Sequence, residues 1–232
     1  MRQQLQESVG KPHLSYSSLK YALGDMRLWE MYMRGQLKKE SEALRFGSLY
    51  DLLLFEPEKF QDVYYTLDDT SIVASIGGAN PRSTKRYKEW KAEAAQVAEN
   101  ADKILASEED VKKAHQMIHV DLDGVPLKGF LDCLQDGFIV DSKSSRSIDK
   151  FRYDVNSWSY DIQAYIYTKV FNIKDFYWVV QEKAYPFYPA DVKCTDETLF
   201  RGEMKFHQAI ENIQAYLNGD KQTDQHYAEF VV

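Results

Sequence analysis

The sequence predicts an α/β fold with an α/β/α layered core: a mixed central sheet, made of a three-stranded antiparallel meander and a further strand, flanked by helices. Three observations predict it. The stretch from Gly129 to Lys143 reads as two strands around a tight turn. Phe176-Tyr-Trp-Val-Val180 is an unbroken apolar run, as in a strand covered on both faces. Amphipathic helical patterns precede and follow these strands.

Composition narrows the class. The chain has 232 residues, 44% of them hydrophobic and 14% aromatic, which suits one well-packed domain over residues 1–232. Its apolar runs are too short to span a bilayer, and no charged-then-apolar leader opens it, so an intracellular setting is expected. Two cysteines, Cys133 and Cys194, exclude a four-cysteine zinc cluster built within this chain and speak against a disulfide framework. The net charge of −7 argues against nonspecific coating of nucleic acid. It leaves room for a DNA enzyme with a local basic rim.

Taken in order, residues 1–13 are polar and are expected to be loosely ordered. Ser15, Ser17 and Ser18 are N-cap candidates for a helix whose apolar face carries Leu19, Leu23, Met26 and Met33, ending near Arg34 and Gly35. A second helix is expected over Glu42 to Phe55, stopped by Glu56-Pro57. Gly47 and Asp51 lie four apart and share one face of it. Asp51 could point toward the hairpin or stay on the helix surface. Phe60, Val63, Tyr64 and Tyr65 suggest a short extended or turning segment. Asp68-Asp69, Gly77-Gly78 and Asn80-Pro81 predict a loop insertion over 66–82. A helix from Ser83 to Glu99 carries Lys85, Arg86, Lys88 and Lys91, which could form a DNA-facing edge or an ordinary solvated face. A short helix is expected over Ser107 to Gln116.

The meander comes next. Ile118–Leu122 and Val125–Leu134 are joined by Asp123-Gly124, and Phe138–Lys143 is the third strand, reached through Asp136-Gly137. With those two residues as a type I′ loop, Gln135 faces Phe138, Cys133 faces Val140 and Asp132 faces Asp141. Two facing carboxylates would then stand about 5 Å apart at Cβ. Lys143 is two residues beyond Asp141 and points to the same face. Paired carboxylates repel unless a cation lies between them, and oxygen donors suit a hard ion such as Mg²⁺. The lysine can orient an attacking water or steady a developing phosphorane charge. That outlines a phosphodiester hydrolysis site. Surface hairpins also carry scattered charges, but the intervening Phe130, Leu131, Leu134, Phe138, Ile139 and Val140 argue for a covered sheet, where idle charges are costly.

Beyond the meander, Ser144–Ser147 reads as a polar turn and 157–171 as a helix. Lys174–Gln181 is the buried strand, and Pro186 and Pro189 break the segment after it. Residues 195–218 form a long helix with Thr195 as cap and Gly219 as stop.

These segments resemble the PD-(D/E)XK nuclease superfamily, whose core is restriction-endonuclease-like. More narrowly they are similar to the RecB-type phage and prophage exonucleases, the group of RecE (exonuclease VIII) and lambda exonuclease. Leu14-Ser-Tyr-Ser-Ser-Leu-Lys20 resembles the group's opening helix, and Phe46-Gly-Ser-Leu-Tyr-Asp51 its motif I segment. Gly124-Val-Pro-Leu-Lys-Gly-Phe-Leu-Asp132 resembles the strand with the first metal-binding aspartate, and Ile139-Val-Asp141-Ser-Lys143 the D/E-x-K strand. Tyr160-Asp-Ile-Gln163-Ala-Tyr-Ile-Tyr167 resembles the QxxxY helix, and Val180-Gln-Glu-Lys-Ala-Tyr-Pro186 the strand after it.

The resemblance implies that Asp132 and Asp141 bind Mg²⁺ or Mn²⁺, that Lys143 assists the attacking water, and that Gln163 and Tyr167 orient the site or hold the DNA strand. Asp51 stands where many members have a histidine, and it is a tentative metal ligand. No glutamate precedes the meander in His115-Gln-Met-Ile-His119, where His119 could compensate or be structural. Arg27, Ser17 and Ser18 are candidates for a 5′-phosphate pocket. The implied function is a 5′-to-3′ exonuclease on linear duplex DNA, leaving 3′ single strands for phage recombination. It would act in the host cytoplasm as a ring-shaped homo-oligomer with a single-strand annealing protein as partner. An endonuclease or single-strand nuclease on the same fold, or a silent DNA-binding scaffold, are the alternatives.

Overall fold

A computed structural model describes residues 1–37, 41–57, 69–103 and 116–220. The segment of Phe60, Val63, Tyr64 and Tyr65 lies outside the described residues, as does nearly all of the helix expected from Ser107.

The first residues are not loose. Helix α1 spans Arg2–Val9, with Leu5 and Val9 buried. One turn of spacing sets these two on a common stripe, and burying it offsets the cost of ordering a polar segment. Gly10, at φ 75°, ends the helix. The chain then bridges to the sheet: Leu14 N–H donates to Pro126 O (2.9 Å) and Lys128 N–H donates to Leu14 O (2.7 Å).

The single helix expected up to Arg34 is two. Helix α2 (Tyr16–Ala22) starts from a reciprocal capping box between Ser15 and Ser18. Helix α3 (Met26–Met33) starts afresh because the Asp25 side chain accepts the Arg27 N–H. Helix α4 (Glu42–Phe55) has the expected bounds, capped by Ser41. The expected loop over 66–82 contains helix α5 (Asp69–Ile76) and a single 3₁₀ turn, Pro81–Ser83. Helix α6 (Lys85–Lys103) comes after it, with Lys85, Arg86, Lys88 and Lys91 all exposed.

The strands are β1 (Gln116–Leu122), β2 (Val125–Leu131), β3 (Cys133–Gln135), β4 (Phe138–Ser145), β5 (Asp175–Glu182) and β6 (Pro189–Lys193). The expected continuous meander is interrupted. β1 and β2 form one antiparallel pair, while β3-β4-β5-β6 form a four-stranded sheet. The break falls at Asp132, whose carboxylate accepts the Ser142 N–H (2.8 Å) and holds the chain in a bend between β2 and β3. The larger sheet is mixed: β4 is antiparallel to β3 and parallel to β5, and β6 runs antiparallel along the edge. The Asp123-Gly124 turn has both residues at positive φ, 52° and 82°. At Asp136-Gly137 only Gly137 does, at 91°, so that turn is not the type I′ expected.

The β4–β5 connection holds two helices, α7 (Ile148–Ser157) and α8 (Tyr160–Phe171), where one was expected. Ser159, at φ 58°, makes the sharp corner between them. Helix α9 (Asp196–Leu217) is capped by Thr195 and packs along α8.

Side-chain alternation along β4 and β5 divides the core. Ile139, Phe176, Trp178 and Val180 enter the main cluster with residues of α2, α3, α7, α8 and α9. Val140 and Val179 face the other way and pack with Cys133 against Phe46, Tyr50 and Phe55 of α4. The sheet is thus covered on both sides, as an α/β/α core requires.

Candidate active site

The same alternation positions the site. Asp141 and Lys143 share the Ile139 side of β4, under α8, while Ser142 faces α4. Asp141 is only 1% exposed. Its Oδ1 accepts the Gln163 amide at 2.6 Å. Its Oδ2 accepts the Lys143 ammonium, which also donates to Ser142 O at 3.0 Å. On the other face Ser142 Oγ donates to Asp51 Oδ1 at 2.7 Å, and the Ser142 N–H holds Asp132. The D-S-K segment therefore gathers Asp132, Asp51 and Gln163 from three separate elements.

Burial is the largest influence on Asp141 and pushes its carboxyl up to about 7; Lys143 opposes the shift and Asp132 adds to it. Burial works against the Lys143 charge, but Asp141 and Asp132 outweigh it and hold the ammonium above its ordinary range. The site thus keeps its cation firmly and its central carboxylate reluctantly.

Tyr167 lies one turn beyond Gln163 on α8, and its hydroxyl donates to Phe130 O at 2.5 Å. That bond ties α8 to β2 two residues before Asp132. Gly129 leaves the room for it: an added Cβ would lie 2.9 Å from the Tyr167 hydroxyl. Burial raises the Tyr167 phenol, with Asp141 and Asp132 acting in the same sense, so Tyr167 stays a neutral donor.

The other candidates lie elsewhere. Asp51 reaches the strand from the α4 side and meets Ser142 rather than Asp141. Ser18 is buried, and its hydroxyl is engaged within the capping box. Ser17 is half-buried on α2. Arg27 is exposed on α3 and paired with Asp25 at 3.0 Å. His119 packs edge-on against His13, their ring centroids 4.9 Å apart.

Sequence reasoning missed three participants. Ser142 links Asp51 and Asp132 to the strand, and its place inside the D-x-K motif was the available signal. The Tyr160 ring lies 4.9 Å from Lys143 Nζ and makes a cation–π contact. Tyr16 stands beside Tyr160, ring centroids 6.4 Å apart, and donates to Trp158 O at 2.5 Å. Nothing in the local pattern of Tyr16 or Tyr160 distinguished them from core aromatics.

Oxygen donors of this kind suit a hard divalent cation. Among the described residues no three His, Cys, Asp or Glu side chains gather closely enough to hold a metal by themselves. Carboxylate oxygens of this kind fit a hard divalent ion better than the nitrogen and sulfur ligands typical of structural zinc. Among the described residues the buried Gln163 Oε1 has no hydrogen-bond partner, which fits a neighbouring hydrated ion or ordered water.

Comparison with known proteins bears on the family and the fold. The profile of a family described as "PDDEXK-like domain of unknown function (DUF3799)" matches residues 17–229. No curated protein matches the chain. A crystal structure of a protein described as a "putative exonuclease" from Eubacterium rectale aligns with 94% of this chain and 84% of its own, at 20% identity and a TM-score of 0.56. At that identity the likeness is one of fold. The family match, by contrast, extends over nearly the whole chain and takes in each residue of the D-S-K cluster; the protein belongs to the PDDEXK-like domain family, within the PD-(D/E)XK superfamily.

Proposed function

We propose that the protein is a divalent-metal-dependent deoxyribonuclease, an exonuclease that degrades linear duplex DNA from the 5′ end and leaves 3′ single strands. The observation that carries this reading is the convergence of Asp132, Asp141, Lys143 and Gln163 on one segment of β4. Asp132 and Asp141 would hold the ion, Mg²⁺ or Mn²⁺, with Asp51 at the margin through Ser142. When bound, such an ion polarises a phosphodiester and lowers the pKa of water.

The chain's own groups do the rest. Lys143 brings a fixed positive charge to the phosphate and orients the attacking water. Gln163 fixes the rotamer of Asp141 through its amide. Tyr167 sets the position of the strand leading to Asp132. Tyr160 supports Lys143 from beneath.

Polarity, a ring-shaped homo-oligomer around the DNA, a single-strand annealing protein as partner and action in the host cytoplasm all rest on the resemblance to phage recombination exonucleases. Arg27 and Ser17 remain candidates for the 5′-phosphate contact. The test uses 5′-phosphorylated linear duplex and closed circular duplex, each with Mg²⁺, and a Lys143→Ala variant. The expected result is loss of the linear substrate alone, slowed by about 10²–10⁴-fold in the variant. Cutting of the circle would make the protein an endonuclease. Equal inertness of both proteins would make it a binding scaffold.

A further inference from the structure

Trp158 is a large apolar side chain left half in solvent, 51% exposed, at a place where the backbone is held unusually well. It occupies the corner between α7 and α8, next to Ser159 at φ 58°. A non-glycine residue in that conformation costs free energy that the surroundings must repay. Here the repayment is visible: the Trp158 carbonyl accepts the Tyr16 hydroxyl, and its N–H donates to Asp154 O at 2.8 Å. The backbone is fixed while the indole is presented outward.

Two further observations say what the indole meets. Lys20 Nζ lies 5.2 Å from the indole ring, so an aromatic face and a positive charge stand together. The corner is also joined to the site. Trp158 is two residues from Tyr160, whose ring underlies Lys143, and Tyr16 touches both. A stacked strand advances about 3.4 Å per nucleotide, so a strand leaving Lys143 toward this corner would cover the span of the intervening Tyr160 and Tyr16 rings in a few nucleotides.

Resting on the deoxyribonuclease reading, we propose that Trp158 is a stacking platform for an unpaired base beside the scissile phosphate, with Lys20 taking the adjoining backbone phosphate. Aromatic stacking of this kind is indifferent to base identity, as a nonspecific exonuclease needs. It also favours a frayed end over a closed duplex, in which every base but those of the terminal pair has both faces covered.

The test works in the Lys143→Ala background, where bound DNA is not consumed. Binding of a single-stranded oligonucleotide and of a blunt duplex is measured by anisotropy, with 2-aminopurine as the stacking probe. Trp158→Ala is expected to weaken single-strand binding by between about 5- and 150-fold, and Trp158→Phe to recover most of it. Lys20→Gln is expected to lower the salt slope by about one. Circular dichroism and the thermal midpoint verify that each variant is folded. If the parent binds and Trp158→Ala binds equally well, the platform is overturned and the nuclease reading stands. A change in sedimentation on Trp158→Ala with unaltered binding assigns the indole to contact with a second copy and overturns the platform too. If the Lys143→Ala protein does not bind DNA and the wild type does not cleave it, both readings fall together.

Discussion

The side-chain amide of Gln163 donates to Oδ1 of Asp141 across 2.6 Å, joining the first turn of α8 to the middle of β4. The other oxygen of the same carboxylate is taken by Lys143. Asp141 is therefore clamped from two sides, and its orientation does not depend on solvent.

Removing that clamp should loosen ion binding before it unfolds anything. Groups that orient a metal ligand typically contribute 10- to 100-fold in affinity or activity. Gln163→Ala is expected to raise the Mg²⁺ concentration for half-maximal cleavage by about that factor. An unchanged Mg²⁺ midpoint would show that the amide serves packing alone.

Asp141 also makes stability depend on pH. Its carboxyl is raised to about 7, chiefly by burial, so the folded state holds a proton that the unfolded chain releases near its ordinary value. Folding takes up that proton between roughly pH 4 and pH 7, and stability falls as pH rises through this window. The raised Lys143 acts in the alkaline range, where its contribution is lost, and does not overlap. The protein in EDTA is expected to melt at a lower temperature at pH 7.5 than at pH 5. Mg²⁺ should stabilise more at pH 7.5, because at pH 5 it must displace a proton. His13, held below its ordinary value mainly by burial, acts in the opposite sense in this window, so the comparison is made with Asp141→Asn; a profile unchanged by that substitution would remove Asp141 as the responsible group.

Gly202 is fixed by packing rather than by conformation. A Cβ there would lie 2.1 Å from Asp161 O and 2.6 Å from its carbonyl carbon, both backbone atoms of α8. Helices α8 and α9 would have to separate. The side chain of Asp161 meanwhile binds Arg201 Nε (2.6 Å) and Lys205 Nζ (2.9 Å), so the movement would also strain a buried ion cluster. Gly202→Ala is expected to cost about 2 kcal/mol or more, a drop of roughly 5 °C in Tm. A thermal melt unchanged within a degree would contradict this packing.

Features governed by local chemistry were legible in the sequence. The bounds of α4, the Asp123-Gly124 turn and the Thr195 cap each depend on a few adjacent residues. The hairpin register at Gln135–Phe138 and Cys133–Val140 came from counting out of the turn. The count failed one step later, at Asp132, because a side-chain contact to the Ser142 N–H replaces the ladder there. Helix α1 escaped notice because only Leu5 and Val9 mark its stripe and Met1 makes no side-chain cap. Of the candidate site, the shared face of Asp141 and Lys143 was readable from strand parity, since alternation is a local rule. The face on which Asp51 arrives was not, because it depends on how α4 docks on a sheet formed much later in the chain.

That docking gives the site an order of assembly. Gln163 and Asp141 are separated by 22 residues, Asp51 and Ser142 by 91. Closing the longer span costs about 1 kcal/mol more chain entropy. The hairpin and α8 can thus come together as one short-range unit, while α4 joins across a long excursion.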